Sequence, residues 1–300
     1  MRHPVRSAGS AIGVAVLAAS CGNAPPRNGG QASAAQASGA GPAGAEDAAS
    51  TDRGGARGTE PPPPGTSTGR ADRASRSEGE HPLPVAGWDA ALVSFPPETA
   101  SPLPLLFVAH GAKDLPGAQC AVFRSALGNR GTVVCLVGPR ADVKAEPRYF
   151  PDHPTLEKIL IATRTSFLDA YGAPPGGAPS SAAYDVPAVY VGYSQGATMG
   201  ALVLPSHARQ FPKALFVEGG FGEWTAARAE EFVHGGGTRV AFVCGTKKCA
   251  EEAPTSARLL HRAGAETRVL VDLRSGHEYG PYLVRKIEDA VAWLTLPAAP

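Results

Sequence analysis

Val189-Tyr190-Val191-Gly192-Tyr193-Ser194-Gln195-Gly196-Ala197 joins an apolar run to a segment of helical period. The run up to Tyr193 is short, rich in Val and Tyr, and does not alternate, as expected of a strand buried on both faces. After it, Ala197, Met199, Ala201 and Leu202 open a helix. A strand that turns sharply into a helix leaves no room for side chains beside the serine, which accounts for Gly192 and Gly196. Such a turn places the Ser194 hydroxyl at the carboxyl edge of the sheet, near the positive end of the helix dipole. Ser194 is therefore the candidate nucleophile. The Gly-x-Ser-x-Gly spacing is not enough, since Gly65-Thr66-Ser67-Thr68-Gly69 matches it with neither strand nor helix around it. The competing role for Ser194 is that of a helix cap.

Further apolar runs predict strands at Leu103–Ala109, Thr132–Val137, Ala188–Tyr193, Ala214–Val217, Thr238–Cys244 and Thr267–Leu273. Helical periods fall between them, at Thr155–Tyr171, Gln195–Gln210, Glu223–His234, Ser256–Ala263 and Tyr282–Leu294. Strands alternating with helices in this way predict an α/β fold. Its sheet is doubly wound and mostly parallel, with helices on both faces. Ala86–Phe95 is expected to add an antiparallel strand at the sheet's edge.

Composition divides the chain. Between Gly22 and Pro82 there is no Val, Ile, Leu, Met, Phe, Trp or Tyr. A segment without large apolar side chains cannot offset the entropy of ordering its backbone, so 22–82 is expected to be a disordered Ala/Gly/Pro/Ser-rich tether. The remaining stretch, 83–297, is about the size of one domain. The net charge of +1, from 28 basic and 27 acidic residues, comes with no basic stripe, which argues against a nucleic-acid partner.

Residues 1–21 have the form of an export signal. Arg2, His3 and Arg6 precede a short apolar core, Ala11–Ala19. Leu17-Ala18-Ala19-Ser20-Cys21 resembles a bacterial lipobox, in which the cysteine takes the lipid, although Ala18 stands where Leu is commonest. The expectation is an envelope lipoprotein, at the outer membrane or cell surface, with a secreted protein as the alternative. Four cysteines remain, an even number that suggests disulfides in an exported chain. Cys244 and Cys249 can close a short loop, which leaves Cys120 for Cys135. Zinc is the weaker use for them, because the spacings are not those of a finger. No metal or cofactor is expected, and the chain is expected to be a monomer.

With the turn at Ser194 in view, 83–296 resembles the α/β-hydrolase superfamily, and Gly192-Tyr193-Ser194-Gln195-Gly196-Ala197 is similar to cutinases and small carboxylesterases. The resemblance implies a base in a late loop. Of eight histidines, His277 is the one in such a loop, Ser275-Gly276-His277-Glu278-Tyr279-Gly280, after the last strand. It also implies an oxyanion hole from the backbone amides of Gln195 and of Ala112, in the loop His110-Gly111-Ala112-Lys113. The acid departs from the pattern. In the commonest layout it follows the strand ending at Cys244, but here Gly245-Thr246-Lys247-Lys248-Cys249 follows. Glu218, closing the preceding strand, is the expected acid, with Glu251 second and a water-assisted dyad third. The implied reaction is cleavage of carboxylic esters, of small molecules, lipids or polyesters, with Tyr193 and Trp224 as acyl-pocket or core residues. A hydrolase-fold binding protein without turnover and an acyltransferase on the same residues are the alternatives.

Overall fold

The computed structural model describes residues 79–96, 104–128, 131–140, 142, 147–171 and 187–296. The export-signal and lipobox readings, with Cys21, and the tether up to residue 78 lie outside them. Eight strands form one sheet in the order β1-β2-β4-β3-β5-β6-β7-β8. Strands β3 (Leu105–Ala109), β4 (Thr132–Cys135), β5 (Val189–Tyr193), β6 (Lys213–Val217), β7 (Arg239–Cys244) and β8 (Glu266–Val271) run parallel to one another. β1 (Gly79–Val85) and β2 (Trp88–Phe95) are an antiparallel hairpin, and β2 pairs antiparallel with β4. The expected antiparallel strand is thus present but not at the edge, because β1 covers it. β1 tolerates Pro82 and Pro84, both exposed, because an edge strand leaves one side without a ladder to donate to.

Alternate residues of each central strand face opposite cores. Phe107 and Ala109 of β3 join the core formed with α2 (His153–Tyr171), α3 (Gln195–Val203), α4 (Ala226–His234) and α5 (Lys247–Ala263). Leu106 and Val108 join the core formed with α1 (Pro116–Leu127) and α6 (Pro281–Thr295). Burial on both faces is the physical reason these strands read as unbroken apolar runs. Three helices depart most from the sequence expectation. α1 was not foreseen, and α5 starts nine residues earlier than Ser256, at Lys247, running through Pro254. The predicted Gln195–Gln210 helix ends at Val203 and tightens into a 3₁₀ turn, Leu204–His207.

The parallel register brings the functional loops to one edge. Ala109 pairs with Gly192, Tyr193 with Val217, Val217 with Val243, and Cys244 with Val271. His110, Ser194, Glu218 and Gly245 each follow immediately, and the loop after β8 carries His277.

Candidate active site

Ser194 lies between β5 and α3 with φ 48° and ψ −111°, a strained conformation for a residue with a Cβ. Conformations of this kind cost on the order of 1–3 kcal/mol and persist only when the surroundings impose them. Here the Ser194 amide donates to the Val217 carbonyl at 2.8 Å, and the next turn closes as Thr198 N–H donates to Ser194 O at 2.9 Å. The serine side chain makes no capping bond to the helix. Instead its Oγ lies 2.9 Å from His277 Nε2.

His277 Nδ1 lies 3.2 Å from Glu218 Oε2. A carboxylate accepts, so Nδ1 carries the proton and Nε2 presents its lone pair to the serine hydroxyl, which donates to it. The imidazole side chain is 51% exposed and the carboxylate 1%, so the ring is open to solvent while the carboxylate is shut away. Glu218 is itself at φ 53°. Its carboxylate accepts from the amides of Gly245 and Thr246 and from the Thr246 hydroxyl. A Cβ at Gly245 would strike the Gly276 carbonyl, so the glycine lets this loop pack backbone to backbone against the histidine loop. Glu251, the second expectation for the acid, is exposed on α5. The structure therefore brings Ser194, His277 and Glu218 into one line.

The loop after β3 lies against the elbow: a Cβ on Gly111 would come within 3.5 Å of Ser194 Cβ. Gly196 N–H donates to His110 O at 3.1 Å. Among the described residues the amides of Ala112 and Gln195 donate to no protein acceptor, whereas the Gly111 amide is taken by Gln119 Oε1 at 3.2 Å. Gln119 also donates to the Ala109 carbonyl, and so fixes the loop from both sides. The Gln195 side chain reaches the other way and accepts from Phe150 N–H at 2.8 Å. His110 is buried against Phe150, with ring centroids 4.4 Å apart.

Tyr193 and Trp224 do not line an acyl pocket. Trp224 packs among Phe216 and Phe232 in the core. The Tyr193 hydroxyl donates to the His277 carbonyl, and its ring stacks near Tyr279. Burial pushes the Tyr193 hydroxyl's pKa far up, with Asp114 and Glu218 adding to the shift, so it remains a donor. The open space beside the serine is a cavity of about 420 Å³ whose walls include Met199, Phe221, Glu223, Lys248 and Glu252. Burial also raises the Glu223 pKa, against the opposing bond from the Gly222 amide. The cysteines pair as Cys120–Cys135 and Cys244–Cys249.

Gln119 and Thr246 went unforeseen. Gln119 leaves no sequence signal, because its partners are backbone groups of another element. Thr246 left one: a Thr between a strand and a helix is a capping residue, and it accepts from Cys249 N–H at 3.3 Å.

The sheet order, the strained serine between β5 and α3, and helices on both faces define an α/β-hydrolase fold. Solved structures share it. The chain is similar to a Thermus thermophilus protein at 15% identity, covering 73% of this chain and 99% of that one with a TM-score of 0.50. It is similar to a dienelactone hydrolase from Anabaena variabilis at 12% identity, covering 72% and 96%, also with a TM-score of 0.50. No protein-family model matches the sequence, and no curated protein matches it.

Proposed function

We propose that the protein is a serine hydrolase that cleaves carboxylic esters through an acyl-enzyme on Ser194. The observation that carries this is the unbroken line from Ser194 Oγ through His277 to the buried Glu218. In this reading Ser194 Oγ attacks the ester carbonyl as His277 Nε2 takes its proton, and Glu218 stabilises the imidazolium that forms. The Gln195 and Ala112 amides, free of other acceptors, receive the oxyanion. Collapse expels the alcohol, protonated by His277, and a water activated by the same base then releases the acid. A cavity of about 420 Å³ falls within the range of small-molecule sites and suits a compact ester. The two disulfides fit an oxidising compartment, in keeping with export and lipid attachment at Cys21.

The test joins labelling to kinetics. A fluorophosphonate is expected to label the wild type and not Ser194→Ala, and p-nitrophenyl acetate hydrolysis is expected to vanish in that variant. Glu218→Gln is expected to lower kcat by about a thousandfold or more with KM little changed, and Glu251→Gln to change neither. An unlabelled wild-type protein would overturn the proposal.

A further inference from the structure

We infer that Thr246 is a positioning residue for the acid, its hydroxyl setting the rotation of the Glu218 carboxylate so that one oxygen faces His277. The inference rests on the Ser194–His277–Glu218 reading given above. Glu218 begins a loop at positive φ, so its own backbone conformation is not one that a glutamate settles into unaided. What holds the carboxylate is a set of donors divided between its two oxygens. Oε1 takes the amides of Gly245 and Thr246. Oε2 takes His277 Nδ1 at 3.2 Å and the Thr246 hydroxyl at 2.9 Å. The amides fix where the carboxylate sits. The hydroxyl, sharing an oxygen with the imidazole, fixes how that oxygen is turned.

The hydroxyl's own direction is set from behind. Thr246 Oγ1 accepts from Cys249 N–H as the cap of α5, which occupies a lone pair and leaves the proton aimed at Glu218. Cys249 in turn is bonded to Cys244 at the end of β7, so the turn from β7 into the start of α5 is tied at both ends. One threonine thus couples a helix start to the acid. A water in its place would lack both anchors.

Thr246→Val keeps the shape of the side chain and removes the hydroxyl, while Thr246→Ser keeps the hydroxyl. On p-nitrophenyl acetate the valine variant is expected to lose at least tenfold in kcat with KM within about twofold. The acid limb of its kcat/KM profile should move to lower pH, because a misturned carboxylate stabilises the imidazolium less. Serine is expected to restore kcat to within about threefold and to return the pH profile. Thr225→Val, which removes the matching cap of α4, controls for lost capping and should leave the profile unmoved. Thr246→Ala supplies the same comparison if the valine variant does not fold. An unmoved profile in a folded Thr246→Val or Thr246→Ala protein, or no recovery with serine, would overturn the inference. Should fluorophosphonate fail to label the wild type, the underlying hydrolase reading falls instead.

Discussion

His110 Nε2 accepts a hydrogen bond from the Gly138 amide at 3.0 Å, so that nitrogen holds a lone pair and Nδ1 holds the proton given to the Gly111 carbonyl. Both ring nitrogens are committed to backbone, which makes this histidine the rigid root of the loop carrying Ala112. Burial lowers its pKa below the usual 6.5, outweighing the Gly111 carbonyl and Asp114, which favour the proton, while Arg148 adds to the lowering. The folded state therefore refuses a proton that the unfolded chain accepts. Stability from this group is complete above about pH 6.5 and is lost as the pH falls from there toward the lowered folded value. Urea unfolding followed from pH 8 to pH 5 should show that loss, and His110→Phe should reduce the slope by up to about 1.4 kcal/mol per pH unit. An identical slope in both proteins would contradict a neutral His110. At this scale the meeting of Ser194, His277 and Glu218 could be read from where they fall relative to strands. Their supports were harder to read: Gln119 and the Tyr193 hydroxyl bond backbone atoms that only the fold brings near, and the capping position of Thr246 does not announce its bond to the Glu218 carboxylate.

The elbow between β5 and α3 depends on the close approach of a neighbouring element. A Cβ on Gly196 would press on the Ala109 carbonyl and come within 2.7 Å of the His110 carbonyl, both backbone atoms at the end of β3 that no rotamer change can move. Gly196→Ala should therefore shift the β3 end and destabilise the protein by about 1–3 kcal/mol, read from the urea midpoint. The same shift displaces the loop that holds Ala112. Ester turnover at a temperature where the variant is folded should then fall by more than the unfolded fraction explains. The elbow was nevertheless legible, because Gly192, whose Cβ would meet the backbone of Gly196 and Ala197, is demanded by the turn itself. α5 was legible only in its second half, since Pro254 interrupts the helical pattern and Lys247 and Lys248 oppose the dipole in its first turn. Thr246 and the Cys244–Cys249 link supply the start that propensity withholds. β1 escaped notice for a related reason, as Pro82 and Pro84 argue against a strand anywhere but an edge.

Across the whole molecule, the boundary drawn from composition falls at the first bulky apolar residue, Leu83, whereas the sheet already begins at Gly79. Glu80 and His81 pair with Ser94 and Val93 through backbone bonds, which ask nothing of hydrophobicity. The three-layer, helix–sheet–helix architecture was nevertheless readable, because unbroken apolar strands require cover on both faces. That cover is uneven. Among the described helices, α2 to α5 pack on one side and only α1 and α6 on the other. The thinner layer carries the Cys120–Cys135 disulfide, which ties α1 to the end of β4 with both cysteines buried. A link closing a 15-residue separation constrains the unfolded chain by about 3 kcal/mol in the chain-entropy account. Replacing both cysteines with alanine should lower the unfolding free energy by about 2–4 kcal/mol in urea. Ester hydrolysis per folded molecule should stay near the wild-type rate, since the proposed triad and its clamp lie on β5, β6 and the loops after β7 and β8. A proportional loss of kcat in that variant would mean instead that α1, through Gln119 and the Ala109–Ala112 loop, holds the proposed oxyanion amide of Ala112 in place only while the disulfide holds α1.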